Sequence, residues 1–248
     1  MKYLCVGSGP IKENLFEDNF DKAIFINAGI EHFYKVNAKE KIWITKPTFF
    51  IYRDYQEKSF NYEVRSKKKE ILRKFINEKL MESLTLIILL TRKNNLLNKL
   101  NISEFNKNKK LKIINYWQIE LILIQHLGIF YWLKLMSYKP LNILKLLVPQ
   151  NISRIIRGYG PPRFWKASTG SLSFLIMNKL EWKNNPKYKI FTQGITNPLE
   201  GSEENVSRKA RIYFLNSQKC ELQSNHIHEH IYMDKLCISS LKSLNILW

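Results

Sequence analysis

Three short segments of the chain carry the residue types that chemistry on a phosphorylated ligand requires. The first is Gly7-Ser8-Gly9-Pro10, which directly follows the apolar run at residues 3–6. Glycines at such a turn let the backbone approach an anion, and a helix starting beyond it presents unpaired N–H groups. A dinucleotide fingerprint would need a third glycine where Lys12 stands, and an acid after the second apolar run, where Asn27 stands. An amide donates as well as accepts hydrogen bonds, so Asn27 suits a phosphate or a pyrimidine edge better than a carboxylate would. That disfavours NAD binding and a methyltransferase reading of the loop. The bland alternative is an ordinary strand-to-helix turn.

The second segment is Lys166-Ala167-Ser168-Thr169-Gly170-Ser171. Hydroxyls and a glycine at a helix start, with a cation just ahead, can surround a phosphate or carboxylate by dipole, hydrogen bonds and charge together. Ser and Thr are also the commonest helix caps, so the same residues read equally as a cap. The third segment gathers His226, His228 and His230 around Glu229. Metal ligation is disfavoured, because residues two apart face away from each other on a helix and no matching Cys, Asp or His set stands elsewhere. A single imidazole acting as general base needs no such set, with His228 and His226 placed ahead of His230 at the loop-to-helix junction. Glu229, or Asp234 one helical turn after His230, could orient the ring. Solvated surface histidines are the alternative.

These segments must be positioned by a scaffold, and the chain alternates strand and helix signals. Apolar runs at 3–6, 22–26, 41–45, 84–90, 111–115 and 188–192 read as strands, and 66–83 and 167–180 read as helices. Runs that are apolar throughout predict parallel strands buried on both faces, so the fold class is α/β with a Rossmann-like, mostly parallel sheet. The segment 117–157 is rich in Leu, Ile, Trp and Tyr with periodic lysines, and Pro140 and Pro149 divide it. It reads as a helical lid or membrane-facing insertion within one domain spanning 1–248, or simply as helices packed on the sheet. Residues 193–208 read as a polar loop, 211–215 as a further strand and 228–244 as a closing helix.

Composition narrows the function classes. The 248 residues are 45% hydrophobic, enough for one ordinary core, and nine glycines exclude collagen-like sequence. With 40 Lys and Arg against 21 Asp and Glu the net charge is +19, which invites a nucleic-acid reading. The lysines are scattered, however, and the runs at 66–69 and 107–112 lack interleaved aromatics to stack bases, so specific nucleic-acid binding is not expected. An anionic membrane surface or a small anionic ligand fits better. Cys5, Cys220 and Cys237 form no paired motif, which points to a reducing, cytoplasmic setting. Residues 1–6 enter a strand at once, which leaves no room for a signal peptide.

The order of the three segments resembles sialyltransferases. Val6-Gly7-Ser8-Gly9-Pro10 with Phe25-Ile26-Asn27 looks like the large sialylmotif, or its equivalent in bacterial lipooligosaccharide sialyltransferases. Ser168-Thr169-Gly170-Ser171-Leu172 through Ile190-Phe191-Thr192-Gln193-Gly194-Ile195 looks like the small sialylmotif, and His226-Ile227-His228-Glu229 stands where the very small motif would stand. The resemblance implies a modified glycosyltransferase-A-like fold, a CMP-sialic acid or related nonulosonate donor, a glycan or glycolipid acceptor, inversion at the anomeric centre, and no metal or other cofactor. It would put Gly7, Ser8, Gly9 and Asn27 on the CMP phosphate and nucleotide. Lys166, Ser168, Thr169 and Gly170 would contact the donor, and one of His226, His228 or His230 would move the proton. An enzyme of this kind would be cytoplasmic, on the inner membrane face if the helical segment seats there. The chain departs from the motifs in two respects: Ser8 stands where Asn is usual, and five residues beyond His226 and His228 stand Ile231 and Met233 instead of Glu. Those departures keep open a protein that binds a nucleotide phosphate, or a membrane surface, without turnover.

Overall fold

The computed structural model describes residues 1–7, 18–47, 70, 83–90, 110–129, 167–184, 187–195, 197, 199, 231–241 and 244–248. The strands expected at 3–6, 22–26, 41–45, 84–90, 111–115 and 188–192 are present as β1 (Lys2–Val6), β2 (Phe20–Ile26), β3 (Ala38–Thr45), β4 (Thr85–Leu89), β5 (Leu111–Ile114) and β6 (Lys189–Gln193). A short strand without a sequence signal, β7 (Ile246–Leu247), pairs with β6. Helices α1 (Tyr116–Leu127), α2 (Thr169–Leu180) and α3 (Ile231–Ser239) accompany them among the described residues. The segments 66–69, 71–82, 130–157 and 211–215, and with them Cys220, lie outside the described residues.

All seven strands run parallel in one sheet of order β5-β4-β3-β2-β1-β6-β7. This is an α/β, Rossmann-like architecture. Parallel strands are covered on both faces, and alternate side chains divide accordingly. Tyr3, Cys5, Ile24, Ile26, Ile42, Ile44, Ile87 and Leu89 enter one apolar cluster with residues of α1, α2 and α3. Their neighbours Leu4, Val6, Ala23, Phe25, Trp43, Leu86 and Ile88 enter a second cluster with Ala28, Ile30 and Phe33. The first two of these lie in a 3-10 turn, Asn27–His32, that links β2 to β3, and Phe33 caps it.

The chain winds outward from β1 to β5 and then returns to the other side of β1 with β6. Parallel crossovers keep one hand, so reversing the direction of winding moves the connections to the opposite face. The β2–β3 turn therefore covers one face while α2, which leads into β6, covers the other. Between β1 and β6 lies the switch point, where sheets of this kind open a crevice beyond the carboxyl ends of the strands.

The direction of α2 is fixed by polar contacts at its far end. Tyr3 Oη donates to Glu181 Oε2 at 3.1 Å, and Lys22 Nζ donates to Glu181 Oε1 at 2.8 Å. Lys22 also pairs with Glu40 at 2.8 Å. Glu181, the C-cap of α2, thus sits by the first residues of β1 and β2. Twelve helical residues then rise about 18 Å, roughly the length of a five-residue strand, so the start of α2 returns to the carboxyl edge. Burial depresses the Lys22 ammonium, but hydrogen bonds and charge from Glu181 and Glu40 outweigh it, raising its pKa to about 12. Burial, then Glu181, pushes the Tyr3 phenol up to about 12 as well.

Candidate functional site

Three chain segments meet at the carboxyl end of β1. Gly7 N–H donates to the Gln193 carbonyl at 2.7 Å, which extends the β1–β6 ladder by one bond beyond the strands. A Cβ on Gly7 would lie 2.3 Å from the Gly194 carbonyl oxygen and 2.7 Å from Ile195 Cγ1. A Cβ on Gly29 would lie 2.2 Å from the Val6 carbonyl oxygen and 2.9 Å from that of Gly7. The residues after β1, β2 and β6 therefore touch backbone to backbone, and glycine is required at 7 and 29 because no side chain fits between them. Gly194 itself has φ of 62°.

Asn27, directly after β2, has φ of 51°, among non-glycine described residues the one left-handed conformation. Asn tolerates that region better than most residues. Two bonds from β3 hold it there: Trp43 Nε1–H donates to the Asn27 carbonyl at 2.8 Å, and Thr45 Oγ1 donates to Asn27 Oδ1 at 3.1 Å. Thr45 is fully buried, so this pairing satisfies a hydroxyl that would otherwise be stranded. The amide Oδ1 is thereby committed, and Nδ2 is the group of Asn27 left to donate to a ligand.

The start of α2 is organised by two carboxyl-edge contacts. Ser168 is its N-cap, and its Oγ accepts from Ser171 N–H at 3.2 Å, so the cap reading of this serine holds. Ser168 N–H donates to Asp234 Oδ1 at 2.8 Å, joining the start of α2 to α3. Asp234 is buried, and its carboxyl group lies against the start of α2, where the helix dipole favours an acidic side chain. Thr169 is buried and Gly170 half-buried, and a Cβ on Gly170 would meet only Ser168 Oγ, at 3.4 Å.

Gly7, Asn27 and the Ser168-Thr169-Gly170 start are thus brought to one edge of the sheet. Ser8, Gly9, Lys166, His226, His228 and His230 lie outside the described residues. Asp234, expected beside the histidines, has one carboxylate oxygen bound to the Ser168 backbone. The buried thiols Cys5 and Cys237 are both pushed up, by burial alone for Cys5 and by burial and then Asp234 for Cys237. Neither is poised as a thiolate nucleophile. Among the described residues no three His, Cys, Asp or Glu gather around a point a metal could occupy, and no helix is long and apolar enough to cross a membrane.

Sequence reasoning passed over Thr45, the close approach at Gly29 and the Ser168–Asp234 bond. A polar residue closing the third apolar run was the visible signal for Thr45, since it ends a strand adjacent to the one that leads into Asn27. No family model matches the chain, and no curated protein or solved structure shows significant similarity to it.

Proposed function

We propose that the protein is an inverting glycosyltransferase that moves sialic acid, or a related nonulosonate, from a CMP-activated donor to a hydroxyl of a glycan or glycolipid. The observation that carries this reading is the arrival of Gly7, Asn27 and the α2 start at one carboxyl edge beside the β1/β6 switch point. Open parallel sheets bind nucleotides there, and the three elements are those that the sialylmotif resemblance assigns to the donor. In the reaction a histidine among His226, His228 and His230 takes the proton of the acceptor hydroxyl. The acceptor oxygen then bonds to the anomeric carbon while the bond from that carbon to the CMP phosphate oxygen breaks. The Thr169 and Gly170 N–H groups at the α2 start, with Ser8, Gly9 and Lys166, stabilise the charge that collects on CMP. No metal or prosthetic group enters this scheme, and the sheet would be a modified glycosyltransferase-A-like variant.

A thermal-shift panel tests the reading: CMP should raise the melting temperature while UMP, GMP and NAD do not, since only a ligand that binds the folded chain stabilises it. No shift with CMP would refute it. A second reading, a nucleotide-phosphate-binding protein without turnover, is favoured by one observation. Asp234, the acid four residues beyond His230, has an oxygen engaged by the Ser168 backbone instead of being wholly available to an imidazole. Binding of CMP with no transfer from any CMP-activated sugar would select that reading.

A further inference from the structure

Helix α1 has its charge and its apolar side chains in unusual places. Glu120 is the only Asp, Glu, Lys or Arg between Tyr116 and Leu127, and it is buried at 8% exposure. Trp117 and Leu121, one helical turn apart, are instead 55% and 53% exposed. Ile129, just beyond the helix, is 56% exposed, and Leu180 at the end of α2 is 44% exposed. The remaining exposed helix residues, Gln118 and Gln125, are uncharged. An outward face with two large apolar residues and no charge is uncommon in a chain of which a quarter is charged.

Cations frame this face. Lys112 alternates with Ile113 on β5 and so shares the side of Ile114, which packs into the cluster that holds α1. Exposed Lys179 and Lys183 lie near the other end of α1, close enough that their charge, after burial, lowers the pKa of His126 in its last turn. We infer that the exposed face of α1, with Leu180, Lys112, Lys179 and Lys183, docks on an anionic lipid surface. Trp favours the boundary between headgroups and acyl chains, lysines reach anionic headgroups, and among the described residues of α1 no exposed acid adds a repulsive term. A second copy of the chain is the poorer occupant, because two-fold contact would bring the same lysines of two molecules, each at +19, against one another.

The inference stands independently of the proposed transfer reaction, since docking is read without any nucleotide. The full chain would be sedimented with vesicles of phosphatidylcholine alone and of phosphatidylcholine mixed with phosphatidylglycerol, at low and raised salt. Pelleting with the anionic vesicles only, reversed by salt, is expected. Trp117→Gln/Leu121→Gln should weaken that partition about tenfold, from two half-exposed side chains no longer leaving water. Lys179→Gln/Lys183→Gln should weaken it about thirtyfold, at roughly a fivefold loss per lysine near the surface. Circular dichroism of each variant checks the fold, and Leu121→Gln alone serves if the double apolar variant is unfolded. Wild-type partition in folded variants of both kinds would overturn the inference, as would equal pelleting with neutral vesicles. A concentration-dependent dimer abolished by the apolar substitutions, without vesicle binding, would overturn it in favour of self-association.

Discussion

Replacing Gly29 with Ala tests the packing on which the candidate site depends. The added Cβ would stand 2.2 Å from the Val6 carbonyl oxygen, 2.8 Å from the Val6 carbonyl carbon and 2.9 Å from the Gly7 carbonyl oxygen. Ordinary contact begins near 3.4 Å, so the 3-10 turn must retreat from β1 by roughly an ångström. The obstructing atoms are backbone in a strand held on both sides, with Val6 opposite Phe25 and Gln193, so β1 cannot yield. Gly29 has no positive φ, and the penalty is therefore steric. Overpacking of this kind costs about 1–3 kcal/mol, and a contact with fixed backbone belongs at the upper end. Loss of glycine's freedom in the unfolded chain returns about 0.4–1 kcal/mol, leaving a net destabilisation of about 2 kcal/mol. In urea, with a slope of about 1–3 kcal/mol per molar, the midpoint should fall by roughly 1 M by circular dichroism. Because Asn27 opens the same turn, CMP affinity should fall with it. Gly170→Ala is the control, since its Cβ meets only a side-chain oxygen at 3.4 Å. The reasoning is refuted if Gly29→Ala keeps the wild-type midpoint, or if Gly170→Ala is the more damaging of the two.

Four further outcomes are expected. Asn27→Ala should weaken CMP binding by about 1–3 kcal/mol in calorimetry and strand the Thr45 hydroxyl, whereas unchanged affinity would remove Asn27 from the site. Asp234→Ala should cost about 1–3 kcal/mol in urea unfolding by removing the acceptor for Ser168 N–H, with Asp234→Asn recovering part of it; equal stability of all three proteins would deny the link between α3 and α2. His126 has its pKa lowered below the ordinary 6.5 by burial, then by Lys183 and Lys179. Its neutral form is favoured in the fold, so its contribution to stability is full above pH 6.5 and declines as the pH falls from 6.5 through the folded value, where the unfolded chain takes the proton first. His126→Gln should flatten that decline in melts run across the range, and an unchanged slope would count against it. Gln in place of the acting histidine among His226, His228 and His230 should cut turnover by about 100-fold to 10,000-fold with CMP binding kept, and three fully active variants would move the base elsewhere.

The strands were legible because parallel pairing buries both faces, which writes itself as uninterrupted apolar runs such as Leu86 to Leu89. Their starts were not, because Phe20 and Asp21, and Ala38 to Glu40, pair at the amino edge with mixed polarity. β7 was invisible for a related reason: two residues carry no periodicity, and it is the neighbouring β6 that holds Ile246 and Leu247 extended. At the site, Gly7, Asn27 and Ser168 stood out because residue type alone limits what such positions can do. The contacts that bind them together did not, since Gly29 against Val6 and Asp234 against Ser168 are made by the fold between segments distant in sequence. The segment 117–157 reads as a lid, a membrane-facing insertion or helices packed on the sheet, and in α1 at its start the sequence pattern could not show that Trp117 is exposed and Glu120 buried.

The central position of β1 has a consequence for how the chain is made. β1 leaves the ribosome long before one of its two neighbours, β6: the contact between Met1 N and the Lys187 carbonyl spans 186 residues. At common synthesis rates β1 waits on the order of ten seconds with one side able to pair only with β2. During that time the half-built sheet from β1 to β5 presents Tyr3, Leu4, Cys5 and Val6 along an open hydrogen-bonding edge, a template for association between nascent chains. Nothing in β1 itself blunts that edge beyond Lys2. Such long-range closure makes folding slow and the yield of folded protein sensitive to translation speed and to chaperone supply, more than its final stability would suggest.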